Sequence, residues 1–364
     1  MAEMGVEKRE IEKSRFVQYK GIDIFKFVMA ILIVMIHAQP FTSVNETINQ
    51  LVVDCIARMA VPFFFVTSGF FVFKKAEEKP GYIKRYCFRM LKLYLIWSMI
   101  YLPFNLYECV IVQEMNLKKT IYDILWRSVI SGSYMQLWYF PALIVAVLLV
   151  QLCVKCKMKD TLMLLVGAGL YIVGLSYQAW HGFFMQLSFM QNENVAEAVN
   201  GLFGLIITTR NGVFFGFLFV LLGRMAARGK FLFPLKTSIC GFLICLLWGV
   251  VETQYLLTNK IAWDKDMWLF LPFLSVFLFS MALQIKSKML DKRCYVLRKA
   301  SVIIFLVHVA YEVIYRAVVI KFVGGVYHSI AAFGFVITMS LLSVLIICVL
   351  EQTKYFAWIR KLFE

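Results

Sequence analysis

Ten apolar windows of about the length that a bilayer's hydrocarbon layer demands, roughly 18–22 residues, divide this chain. They lie at roughly 22–41, 56–73, 91–112, 137–154, 161–178, 209–223, 237–256, 267–285, 300–320 and 328–350. Of the 364 residues, 61% are hydrophobic and 16% charged, well above the roughly 45–50% apolar content of a soluble domain. The pattern implies an all-α integral membrane protein, a bundle of about ten transmembrane helices. No polar stretch is long enough for a separate core. The expected organisation is a cytoplasmic N-terminal segment over 1–20, a transmembrane domain over 21–352 and a cytoplasmic tail over 353–364. Segment 121–131 is too short to span and reads as an interfacial helix. Residues 179–208 read as a longer loop with an amphipathic patch.

The placement of charge orients the bundle. With the N-terminus inside, the cytoplasmic segments hold 27 of the 38 Lys and Arg residues, the external segments six and the spans five. Both termini are therefore expected in the cytoplasm. This asymmetry accounts for the net charge of +16 without a nucleic-acid partner; the partner implied is the lipid bilayer. The nine cysteines are scattered, and Cys153 and Cys156 have no second pair at zinc spacing, so no metal is expected. The first apolar run lacks a small-residue cleavage site and reads as a retained helix rather than a signal peptide.

Ionisable side chains in such spans are costly and face a protein interior or a watery cavity. His37 lies fifteen residues into the first helix. Lys26 and His37 are about 20° apart on the helical wheel, with Asp23 close by on that stripe. Given the topology, Asp23 and Lys26 mark the inner end of the helix and His37 the outer end. Arg58, Arg210, Glu252, His308, Glu312 and Arg316 belong to the same outer layer, the last three at i, i+4 and i+8 of one helix. Together they suggest a polar cavity, with Ser68 and Trp138 as further lining. At the inner face, Arg85, Arg89 and Lys92 form a basic cluster suited to a phosphorylated ligand; positive-inside anchoring would also account for it.

Several blocks in order carry a resemblance: Ile22-Asp23…Lys26…His37, Arg58 followed by Pro-Phe-Phe-Phe-Val-Thr-Ser-Gly-Phe, Arg89-Met-Leu-Lys92-Leu-Tyr, Leu-Trp138-Tyr-Phe-Pro-Ala, and Ile304-Phe-Leu-Val-His308. Over essentially the whole chain they resemble the membrane acyltransferase 3 family. The resemblance implies transfer of an acyl group, commonly acetyl, from cytoplasmic acyl-CoA to a hydroxyl of an extracytoplasmic envelope carbohydrate or related acceptor. It implies a bacterial-type cell membrane, with acyl-CoA as co-substrate. Lys26 and Lys92 stand where the family carries Arg, which keeps the charge and loses the bidentate fork. The blocks around Arg58 and Trp138 also look like the membrane half of the membrane-bound serine racemases of vancomycin-resistance clusters, in which this half is associated with L-serine supply. No racemase half is expected within these 364 residues.

Two mechanisms follow from these residues. As an O-acyltransferase, the chain would use His37 as general base, Asp23 and Lys26 at the inner end of the stripe, and Arg85, Arg89 and Lys92 on the CoA phosphates. As an amino-acid uptake domain, it would use Arg58, Arg210 or Arg316 for a carboxylate and Glu252 or Glu312 for an ammonium group. A homo-oligomer is compatible with either.

Overall fold

The computed structural model describes residues 19–285, 291–322, 327–353, 358, 362 and 363. The basic segment before residue 19 and most of the 353–364 tail lie outside the described residues. The described residues are helical, with no strand among them. Six helices are long and apolar enough to cross a membrane: α1 (Lys20–Ala38), α2 (Glu46–Glu78), α3 (Tyr82–Val112), and later in the chain Leu235–Thr258, Arg293–Val319 within a longer helix, and Ser329–Leu350. Between α3 and these come α4 (Leu117–Ile130), α5 (Tyr139–Lys155), α6 (Asp160–Leu175), α7 (Glu193–Ile206) and α8 (Gly212–Ala227). The order closes with α9 (Leu235–Thr258), α10 (Leu271–Gln284), α11 (Asp291–Phe322) and α12 (Ser329–Leu350). The shorter apolar helices α5, α6, α8 and α10 fall on the remaining apolar windows. The chain is a multi-pass membrane protein.

Local chemistry sets the helix ends. Asn116 caps α4 by accepting from Lys119 N at 2.9 Å, and Asn211 caps α8 by accepting from Val213 N and Phe214 N at 2.9 and 3.1 Å. Such caps satisfy N–H groups that the first turn leaves open. Gln39 ends α1 in the left-handed region, its N–H bonded to the Met35 carbonyl. Pro62 has no N–H for the Arg58 carbonyl one turn back, and the winding of α2 changes just there, from a π segment at Gln50–Ile56 to a 3₁₀ turn at Ala57–Met59. The stretch read as a loop at 179–208 contains α7, an amphipathic helix; the end of α4 covers most of the expected interfacial segment 121–131.

At the centre, α2 and α8 touch backbone to backbone. A Cβ on Gly69 would fall on the Val220 carbonyl oxygen, and one on Gly223 would fall on that of Val66. Small residues allow this approach, and close packing between helices drives their association in lipid. Phe63, Phe65, Phe219 and Phe279 are fully buried around that contact. Helix α1 packs on α11, α2, α12 and α10, burying Ile22, Met29, Ala30, Ile33 and Val34. Other faces stay apolar and uncovered, as in Leu243, Ile244, Leu247 and Val251 of α9. Contiguous exposed apolar surface of this kind suits lipid rather than water.

Candidate active site

Helices α1 and α11 run side by side in the same direction and are joined at both ends. At one end Asp23 accepts a bidentate pair from Arg298, from Nε at 2.9 Å and from a terminal nitrogen at 2.9 Å. At the other end the His37 and His308 rings face each other, centroids 5.0 Å apart and planes at 53°. Arg298 precedes His308 much as Lys26 precedes His37, a parallel visible in the sequence only once the two helices are known to be neighbours.

His308 is fully buried. Its Nδ1 lies 3.0 Å from the Ile304 carbonyl oxygen. A carbonyl only accepts, so Nδ1 carries the proton and, in the neutral ring, Nε2 presents its lone pair. That Nε2 is buried with no hydrogen-bond partner among the described residues. His37 is partly exposed, and the charges of Arg210, Arg58 and Arg316 all act on its imidazole. The arrangement is a pair of imidazoles at the mouth of a helix pair, ringed by three arginines.

Each arginine has a carboxylate. Arg58 reaches Asp54, one turn earlier on α2, at 3.3 Å and also bonds Asp266. Arg210 bonds the other oxygen of Asp266 at 2.7 Å, and Lys265 bonds Asp54 at 2.9 Å. Asp264 and Asp266 lie in the loop between α9 and α10. Burial would raise Asp266, but the adjacent Arg210 and Arg58 outweigh it and hold its carboxyl below the usual carboxylate range. Burial, together with the charge of Asp266, pushes Asp264 the other way. The Arg210 guanidinium stacks 4.7 Å over the ring of Trp138, which is wedged against Phe65 and Phe215. On α11, Arg316 bonds Glu312 at 2.7 Å and lies 5.1 Å over Tyr327.

The remaining residues singled out from the sequence are placed as follows. Glu252 turns to the α9–α10 loop, accepting from Trp180 Nε1 at 2.9 Å, Leu269 N at 2.8 Å and Phe270 N at 3.1 Å. It is a bracket that fixes the start of α10, and through it the loop bearing Asp266. Ser68 shares a hydrogen bond of 3.0 Å with the Tyr139 hydroxyl, with the Tyr86 hydroxyl nearby. Lys26 lies 5.4 Å over the Phe71 ring. Arg85, Arg89 and Lys92 are exposed along one stripe of α3. Arg85 donates to the Pro80 carbonyl at 3.0 Å and Arg89 lies 5.4 Å from the Tyr86 ring centre; none of the three pairs with a carboxylate among the described residues. Tyr86 thus sits between the basic stripe and the half-buried hydroxyls of Ser68 and Tyr139.

Four partners were not picked from the sequence. Asp54 was legible as the i, i+4 mate of Arg58. Asp266, Arg298 and Tyr139 come from distant segments, and only the tertiary fold supplies them.

A family described as Acyltransferase domain, acyltransferase 3, matches residues 19–351. Similar curated proteins are a serine/alanine racemase of Enterococcus gallinarum, 32% identical over 271 residues, and an amino-acid racemase of Enterococcus faecalis, 34% identical over 240 residues. The first alignment covers 73% of this chain and 37% of the relative; the second covers 65% and 32%. The chain thus spans about a third of the length of these relatives. No solved structure matches significantly. The match across nearly all of the bundle shows that this chain belongs to the acyltransferase 3 family.

Proposed function

We propose that this protein is a membrane O-acyltransferase that moves an acetyl or similar acyl group from cytoplasmic acyl-CoA to a hydroxyl of an extracytoplasmic envelope carbohydrate or related acceptor. In this reading the bundle crosses a bacterial cell membrane ten times with both termini inside. The observation that carries it is the His37–His308 pair, with an unpartnered Nε2 on His308, at the opposite end of α1 from Lys26. The neutral imidazole of His37 takes the proton of the acceptor hydroxyl as its oxygen attacks the thioester carbonyl. The C–S bond breaks and CoA leaves as thiolate, while the new C–O bond completes the ester. His308 faces His37 and is held in one tautomer by Ile304. The Arg298–Asp23 pair keeps α1 and α11 in register so that the two rings stay opposed.

Arg85, Arg89 and Lys92 hold the CoA phosphates in this scheme. Eleven residues separate Lys26 from His37, about 16 Å along the helix, a span that an extended pantetheine arm covers. Tyr86, Ser68 and Tyr139 form a polar line beside that route. Charge reversal at either Arg89 or Lys92 should raise KM for acetyl-CoA by about 10–100-fold, because a charge-assisted bond to phosphate contributes about 1.5–3 kcal/mol, and leave kcat nearly unchanged. Steady-state turnover of radiolabelled acetyl-CoA by the purified chain checks this. An unchanged KM would place CoA elsewhere.

A second reading, passage of a small amino acid such as L-serine, is favoured by the names of the relatives, which are racemases of serine, alanine or amino acids. Uptake of labelled L-serine into proteoliposomes without acyl-CoA would support it over acyl transfer.

A further inference from the structure

Three cations converge on one carboxylate where α8 ends and α6 begins. Asp160 accepts from Arg224 on one oxygen at 2.8 Å, and from Arg228 and Lys230 on the other at 3.2 and 2.7 Å. One carboxylate neutralises one of the three charges. Arg224 is largely buried and lies 6.0 Å over the Phe73 ring, whereas the Arg228 and Lys230 side chains are 45% and 49% exposed. The surrounding segments do not restore the balance. Residues 155–160 and 224–236 hold seven Lys and Arg against Asp160 alone, and the neighbouring end of α2 holds Lys74, Lys75 and Lys79 against Glu77 and Glu78. The backbone builds the cationic pair. Gly229 sits in the left-handed region at φ +77°, and the turn it makes lets the Lys230 N–H bond the Met225 carbonyl at 2.9 Å. Lys230 thereby comes back beside Arg228.

Apolar surface adjoins these cations. Phe231 and Leu232 are exposed directly after Lys230. Leu232, Phe233 and Pro234 then form one wall of a cavity of about 320 Å³, whose other wall is Ser280, Leu283 and Gln284 of α10. The polar groups of that cavity are spent on each other: the Phe233 N–H donates to the Ser280 hydroxyl at 2.9 Å, and Gln284 Nε2 donates to the Ser280 carbonyl at 3.0 Å. What the cavity offers a visitor is a hydrocarbon wall. Positive-inside anchoring accounts for basic residues at helix ends in general. It asks neither for three of them on one carboxylate nor for an apolar cavity beside them.

We propose that Arg228 and Lys230, held by Asp160, bind the phosphodiester head of an anionic phospholipid such as phosphatidylglycerol, with the upper part of an acyl chain seated in the Leu232–Leu283 cavity. Guanidinium and ammonium groups pair strongly with phosphate oxygens, and basic pockets between membrane helices suit such heads. Asp160 fixes both cations before the lipid arrives, so less freedom is lost on binding. The site is separate from the imidazole pair and independent of the acyl-transfer reading.

Native mass spectrometry of the purified full chain, titrated with phosphatidylglycerol or with phosphatidylcholine of the same chains, tests it. The wild-type protein should retain one phosphatidylglycerol about tenfold more tightly than phosphatidylcholine, on the scale of two basic groups at a membrane surface. R228Q/K230Q should remove that preference and leave phosphatidylcholine binding unchanged. K155Q/K157Q takes away two exposed cations of the same face and should bind as wild type does. Thermal midpoints are measured for each variant, and R228Q alone serves if the double variant is unstable. The proposal is overturned if the two lipids are retained equally, or if folded R228Q/K230Q still prefers phosphatidylglycerol. It is also overturned if K155Q/K157Q loses the preference to the same extent, which would make the effect one of bulk charge. Displacement of the lipid by an equal concentration of glycerol 3-phosphate, the head without its chains, would make this a site for free phosphates and overturn it as well.

Discussion

Replacing His37 by alanine is expected to lower acetyl transfer by about 10²–10⁴-fold, the usual contribution of a positioned general base, with little change in acetyl-CoA binding. The effect belongs to kcat because the basic stripe on α3 and the imidazole pair lie toward opposite ends of the bundle. H308Q should fall between wild type and H37A. Glutamine can still donate to the Ile304 carbonyl, which His308 Nδ1 meets at 3.0 Å, but it lacks a basic nitrogen facing His37. The measurement is single-turnover transfer of radiolabelled acetyl from acetyl-CoA, alongside binding of the cofactor. Full activity in H37A would remove the base assignment. Equal, complete loss in both variants would show the two rings acting as one unit.

Gly223→Val should have the largest effect on folding. The added Cβ falls on the Val66 carbonyl oxygen and close to the Phe70 nitrogen, both backbone atoms of α2. A flexible side chain could turn aside, whereas here a whole helix must move. Overpacking costs typically 1–3 kcal/mol, and a clash with backbone belongs at the top of that range, about 3 kcal/mol or more. Gly69→Val meets the Val220 backbone from the other side and should behave alike. Gly169→Ala is the control, since a Cβ there meets nothing within 4 Å; with alanine's better helix propensity of about 1 kcal/mol, it should be neutral or mildly stabilising. Thermal midpoints in detergent for the three variants check the ranking. A Gly223→Val protein as stable as wild type would show that α2 and α8 do not depend on this contact.

Much of the architecture was legible because hydrocarbon length and helical period are local properties. The long helices fall on apolar windows, and α2 carries its polar residues where the pattern placed them. The departures have physical reasons. Residues 179–208 read as a longer loop with an amphipathic patch, and within it a cap at Asn192 bonds two N–H groups and starts a helix. Glu252 stood out as a lone carboxylate in a span, which demands a partner. Its partners are two backbone N–H groups and an indole, which no residue pattern advertises.

For the candidate site, the chain's order of residues determined which ionisable side chains fall within apolar spans: Asp23, Lys26, His37, Arg58, Arg210, His308, Glu312 and Arg316. Helical period also put Lys26 and His37 on one stripe, and Arg58 one turn from Asp54. Tertiary structure alone decided that α1 and α11 run in parallel, so that His37 meets His308 and Asp23 meets Arg298. It likewise decided that Asp266, far along the chain, bridges Arg58 to Arg210. Periodicity reaches only a turn or two along a helix. Which distant carboxylate neutralises a buried arginine depends on how the helices and the loops between them pack.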